Sequence, residues 1–266
     1  MWTVKSRFRR RNGNGKNPDG QGFKSGDFFA PFAKKYYSSL GGLDSRNGEN
    51  ADCFSLSDMV QFFRYRPTNR NRIKIMITNL FREYLSLSDK MRTGYKSSLG
   101  KPHSSLENFF TEITPVIPEV FRAVYEEVAG THRDIAIQKY MDFVPGYRLI
   151  HIEELEREFH TLMGLLDLDD ICEAGIKTII PLLADYSSSY IFYAKTDDNK
   201  EAIFHFSPDD GLQKWHNSVE LFFETIIAFY TENVFYLDDD GFLDYDFEKE
   251  GVIGAIHNPD IEYWLE

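Results

Sequence analysis

The chain of 266 residues is 42% hydrophobic and 15% aromatic, enough to build a core and to exclude wholesale disorder. Cys53 and Cys172 lie far apart with no second thiol near either, so there is no disulfide framework or zinc pattern; with no apolar run near the ~18 residues of a membrane span, a cytoplasmic protein is expected. The net charge of −12 is unevenly divided, since residues 1–110 carry 20 Lys and Arg against 9 Asp and Glu, and residues 111–266 carry 10 against 33. Opposed fields of this kind attract external partners or each other.

Residues 1–27 are rich in Gly, Asn, Lys and Arg without periodicity and read as a basic arm. The start has the basic region of a signal peptide but no apolar stretch after it, so no export by that route is expected. Residues 28–104 read as a basic, mainly helical region. In it "LSDMVQFFRYRP" has Ser57 or Asp58 as a cap and stops at Pro67, and "NRNRIKIMITNLFREYLSL" repeats apolar residues at Ile73, Ile77, Leu80, Phe81 and Tyr84, a helical spacing. Residues 88–104, rich in Ser, Gly and Lys, read as a linker, and the domain boundary is placed there.

Beyond it, "SSLENFFTEITPVIPEVFRAVYEEVAG" predicts two short helices parted by Pro115 and Pro118, the second ended by Gly130. "IHIEELEREFHTLMGLL" is amphipathic through Ile152, Leu155, Phe159, Leu162 and Leu166, with its acids on the other face. The period changes in "SSYIFYAKTDDNKEAIFHFSPDDG", where two apolar runs flank a polar turn and predict a hairpin. "NSVELFFETIIAFYTEN" returns to helix, with Asn217 as cap and Glu220 three residues on. "NVFYLD" and "FLDYDF" flank Asp240-Gly241, a second hairpin signal, and "NPDIEYWLE" predicts a closing helix capped by Asn258. The order predicts an α+β domain over residues 105–266, with helices on a largely antiparallel sheet.

No catalytic motif is complete. "HRDIAIQK" has Lys139 where a kinase loop needs its metal-binding Asn, and "GNGKNPDGQG" lacks the Walker spacing. His151 and His160 stand nine residues apart and do not share a helix face as paired zinc ligands do, while His205 and His216 fit ordinary packing. "YLDDDGFLDYDFEKEG" resembles a calcium loop, but in the register set by Asp238, Asp240 and Gly241 it has Tyr236 first and Phe247 twelfth, without the carboxylates calcium needs most. No metal, cofactor or catalytic residue is therefore expected, and the acids are ascribed to turn geometry and exposure.

Several segments resemble the SUKH superfamily. "SLENFFTEITPVIPEVFRAVYEEVAG" is similar to its opening helices, and "VPGYRLIHIEEL" to the strand-to-helix segment of its cell-wall-assembly-regulator branch. "IIPLLADYSSSYIFYAKTDDNKEAIFHFSPDDG" is similar to its core, and "SVELFFETI" to a late helix, so the resemblance runs over about residues 105–265. It implies a non-enzymatic α+β binding domain, of a kind that in bacteria serves as an immunity protein against a toxin domain and in fungi as a regulatory scaffold.

Charge and resemblance together predict a module whose acidic hairpin docks on a basic protein partner, such as a toxin domain. Its contact residues are Asp238, Asp239, Asp240, Asp244, Asp246, Glu248 and Glu250, with Tyr236 and Tyr245 as aromatic anchors. The rival expectation is nucleic-acid association through Arg7, Arg9, Arg10 and Arg11 of the arm and through Arg64, Arg66, Arg70, Arg72 and Lys74.

Overall fold

The computed structural model describes residues 69–102 and 105–265, with Asn69, Arg70 and Asn71 described by their backbone alone. The basic arm and the helix expected from "LSDMVQFFRYRP" lie outside the described residues. Helix α1 (Asn69–Met91) realises the periodicity of its sequence. Ile77, Phe81, Tyr84 and Leu85 are buried along one stripe, with Ile73 and Leu80 packed partly against the same core.

The segment after α1 does not behave as the linker expected of it. Ser88, Arg92, Tyr95 and Leu99 are all buried, and α2 (Tyr95–Ser98) turns inside residues 88–104. The reason is a buried guanidinium. Arg92 donates to the Asp142 carbonyl at 2.5 Å, to the Tyr230 hydroxyl at 3.0 Å and to Ser88, and lies 3.8 Å from the Tyr95 ring centroid. A charge taken out of water needs such a cage. The cage draws on two remote parts of the chain, at Asp142 and Tyr230, so the core continues across the expected boundary. The described residues fall within one compact unit.

Short helices α3 (Glu107–Phe110) and α4 (Glu119–Tyr125) follow, the latter beginning directly after Pro118. Strand β1 (Arg148–Leu149) then leads through a 3-10 turn (Ile152–Glu154) into α5 (Leu155–Leu165), and α6 (Leu168–Glu173) completes the helical run. All five apolar positions expected to line the α5 segment are buried. Glu158 is buried with them, against the expectation that the acids share the outer face, because Arg148 lies opposite to neutralise it.

The sheet is an antiparallel meander in the order β1-β2-β3-β4-β5, formed with β2 (Ile176–Ala184), β3 (Tyr190–Thr196), β4 (Glu201–Ser207) and β5 (Gly211–His216). The chain is thus α+β. Consecutive positions of β3 and β4 are buried, so both strands are covered on both faces, which is why they read as apolar runs and not as alternations. Pro181, which cannot donate to a ladder, stands beside a register shift in β2. Asn199 takes φ 62° in the β3–β4 turn, a conformation that Asn tolerates better than most side chains.

Helix α7 (Val219–Thr231) packs on β4, β5 and α1. Its cap is Ser218, whose hydroxyl accepts the Leu221 N–H, and not the expected Asn217. The predicted second hairpin is present as β6 (Phe235–Leu237) and β7 (Leu243–Tyr245), with Gly241 at φ 85°. Helix α8 (Phe247–His257) follows, unanticipated in the sequence reading, and the chain closes on a 3-10 turn (Glu262–Trp264). Asn258, expected to cap that last turn, instead follows α8 and is buried, with Nδ2 donating to Thr225 Oγ1 and to the Gly254 carbonyl. Among the described residues no helix is long and apolar enough to cross a membrane.

Candidate functional site

The acidic hairpin is assembled by its own carboxylates. Asp238 accepts the backbone N–H groups of Asp240 at 3.0 Å and Phe242 at 2.8 Å, so this acid organises the turn. Asp244 accepts the Tyr245 N–H at 2.8 Å and the Tyr236 hydroxyl at 3.3 Å. Asp246 caps α8 by accepting the Lys249 N–H and also pairs with the Lys249 ammonium at 3.2 Å. These bonds leave Asp239, Asp240 and Glu248 as the exposed carboxylates of the set.

The two expected aromatic anchors differ. Tyr236 is 44% exposed, whereas Tyr245 is half-buried against the core. Glu250 is also partly buried, and burial raises its carboxyl to about 7. It therefore carries only part of the charge that its residue type suggests near neutrality.

Helix α8 adds apolar surface beside these acids. Phe247, Val252 and Ile256 are 76%, 63% and 71% exposed. Glu248, Val252 and Ile256 succeed one another at intervals of four, so they share one helix face. Phe247 opens the helix directly after the acidic cap. The signals for α8 were present in the sequence: a capping Asp246, Glu248 and Glu250 in the first turn, and His257 in the last. Two glycines, Gly251 and Gly254, obscured them. Gly254 is needed because a Cβ there would stand 2.1 Å from Trp264 Cε3.

A second cluster of charge lies where β1 meets α5. Arg148, fully buried, places Nη2 2.8 Å from Glu158 Oε1, while Nη1 donates to the Thr131 carbonyl at 2.9 Å and lies 2.8 Å from Glu154 Oε2. Arg157 and the Tyr190 hydroxyl also donate to Glu158, each at 2.8 Å. Burial pushes the Glu158 carboxyl up, but the bonds from Arg157 and Tyr190 and the Arg148 charge outweigh it and hold the group below its usual range. Such a network holds the corner together.

His205 and His216 are each packed against other residues. His205 Nε2 lies 2.7 Å from the Tyr147 hydroxyl and its ring stacks on Trp215, whereas His216 Nδ1 lies 2.9 Å from Asn258 Oδ1. Burial lowers them to about 4 and about 3, so both are neutral in the fold. An open cleft of about 610 Å³ lies beside the β3–β4 turn, lined in part by Asp198 and Lys200, which pair with each other at 2.7 Å.

Of the basic positions, Arg7, Arg9, Arg10, Arg11, Arg64 and Arg66 lie outside the described residues, as does the side chain of Arg70. Arg72 is exposed. Lys74 pairs with Glu126 at 2.7 Å, and Arg82 on the same helix with Glu127 at 2.6 Å. Part of the charge division is thus satisfied within the chain. Comparison of the chain with protein-family models and with curated proteins finds no match.

Proposed function

We propose that the chain is an intracellular protein-binding module that docks on a basic partner through the β6–β7 hairpin and the solvent face of α8, in the manner of an immunity protein covering a toxin domain. The observation that supports this reading most is the juxtaposition of exposed Asp239, Asp240 and Glu248 with exposed Tyr236, Phe247, Val252 and Ile256 along consecutive elements. Large apolar side chains beside charge of one sign suit an interface with an apolar centre and an electrostatically steering rim. The surplus of acid in residues 111–266 sets the sign of the partner. The SUKH-like segments support the same class of activity.

The test is affinity capture with the full chain, followed by titration of the purified partner. The partner should be basic, and its binding should weaken as salt rises. Replacing Asp239, Asp240 and Glu248 together by Lys should weaken binding by about 2 kcal/mol or more and reverse the salt response. V252D with I256D should act on dissociation rate instead. Capture that is insensitive to both sets of substitutions would remove this surface from the reading.

A further inference from the structure

We propose that His132, His151 and Glu153 form a binding site for a divalent transition-metal ion of the zinc class. The site begins with a close backbone crossing. Gly130, at φ 102°, passes so near residues 150 and 151 that a Cβ on it would stand 2.4 Å from the Ile150 carbonyl oxygen and 2.8 Å from His151 Cα. The Thr131 N–H then donates to the Leu149 carbonyl at 2.8 Å, and Thr131 forms a parallel bridge with Ile150. The next residue, His132, is thereby laid on His151, with ring centroids 3.5 Å apart and planes 21° from parallel.

Glu153 joins them from the 3-10 turn. Its backbone N–H donates to His151 Nδ1 at 3.3 Å, and its Oε2 lies 3.9 Å from the same nitrogen. One donor atom from each of the three side chains falls within 4.8 Å of the others. Tetrahedral bonds of about 2.0–2.1 Å require donor separations of roughly 3.3 Å. Stacked rings hold their in-plane lone pairs nearly parallel, so ligation requires exposed His132 to turn out of the stack and exposed Glu153 to swing in, while buried His151 supplies the fixed member. Two imidazoles and one carboxylate suit zinc and its neighbours and leave a position open; calcium and magnesium prefer oxygen donors throughout.

The surroundings provide an outer shell. Glu154 Oε1 lies 3.6 Å from His132 Nδ1, while its other oxygen is 2.8 Å from Arg148 and 3.3 Å from Arg157. A carboxylate held behind a ligating imidazole orients the ring and strengthens it as a donor. The buried ion network thus acts as an anchor for the proposed ligands. A bound ion would tie the loop at residue 132 to the start of α5, and its open position would accept water or a partner's side chain.

The full chain, stripped of metal with a chelator, should be titrated calorimetrically with Zn2+ alone, and separately with Co2+ while visible absorption is followed. The proposal expects a Zn2+ site that H132A abolishes and E153Q weakens by about tenfold or more, together with a tetrahedral Co2+ spectrum that H132A abolishes and that E153Q shifts to higher Co2+ concentration. H160A, which alters an exposed histidine farther along α5, should bind as the wild type does, and Ca2+ should not compete. Both ligand substitutions alter exposed side chains, so their metal-free thermal transitions should match that of the wild type. No Zn2+ uptake, or uptake unchanged in both H132A and E153Q, overturns the proposal.

Discussion

Glu250 illustrates how a single side chain departs from what its residue type suggests. Burial raises its carboxyl to about 7, well above the 4.5 of an ordinary Glu. The raised value means that the fold disfavours the charged form. Below about pH 4.5 the group is protonated in both folded and unfolded chains and costs nothing; between 4.5 and 7 a penalty grows, and above 7 it is fully present. Glu250→Gln should therefore stabilise the protein at pH 8, by up to roughly 3 kcal/mol at about 1.4 kcal/mol per unit, with the two proteins converging at pH 4. Urea unfolding at both pH values checks this; a variant less stable at pH 8 would contradict it. Asp239 and Asp240, by contrast, are exposed as their turn positions suggest. The acidic character of the patch was legible residue by residue, but not which acids the turn itself consumes.

Elements show the same division. The β6–β7 hairpin was readable because Asp240-Gly241 sets it locally, and Gly241 takes the positive φ that such a turn requires. Helix α8 was not, since its glycines weaken the local helical preference and its docking depends on Trp264. There helix propensity and packing predict opposite signs for Gly254→Ala. Propensity alone favours Ala by about 1 kcal/mol, but the added Cβ would meet the Trp264 ring at 2.1 Å. That ring is confined by Trp215, His216, Phe229 and Tyr263, and overpacking typically costs 1–3 kcal/mol. Packing should win: Gly254→Ala should lower the urea midpoint and change tryptophan fluorescence. A stabilised variant would show that Trp264 yields easily.

For the whole molecule, the decisive contact is between α1 and the rest of the core. Tyr84 stacks on Phe143 at 4.1 Å, and Phe81 meets Phe223 at 5.9 Å. Tyr84 also donates to the Phe143 carbonyl at 2.8 Å. A fragment of residues 105–266, cut where the Ser- and Lys-rich segment suggests a boundary, loses Ile77, Phe81, Tyr84, Leu85 and Arg92 together. Deleting several buried large side chains at 2–5 kcal/mol each exceeds the 5–15 kcal/mol that holds a domain together. The fragment should lack a cooperative thermal transition and native near-ultraviolet dichroism, whereas a chain beginning at residue 63 should retain both. A cooperatively folded 105–266 fragment would mean that α1 is an accessory.

What the sequence by itself determined is whatever repeats within one element or turn: the apolar stripes of α1 and α5, the β3–β4 hairpin, and the charge division. Periodicity and turn chemistry act over a few residues, so they can be read without knowing the fold. Only the tertiary structure decided the fate of polar side chains whose partners are remote in the chain. Arg92 is caged by Asp142 and Tyr230, Glu158 is neutralised by Arg148, Asn258 bridges Thr225 and His216, and His132 is laid on His151. Arg92, Glu158 and Asn258 face a desolvation cost that only a partner can offset, and long-range chain crossings such as that at Gly130 decide which side chains meet.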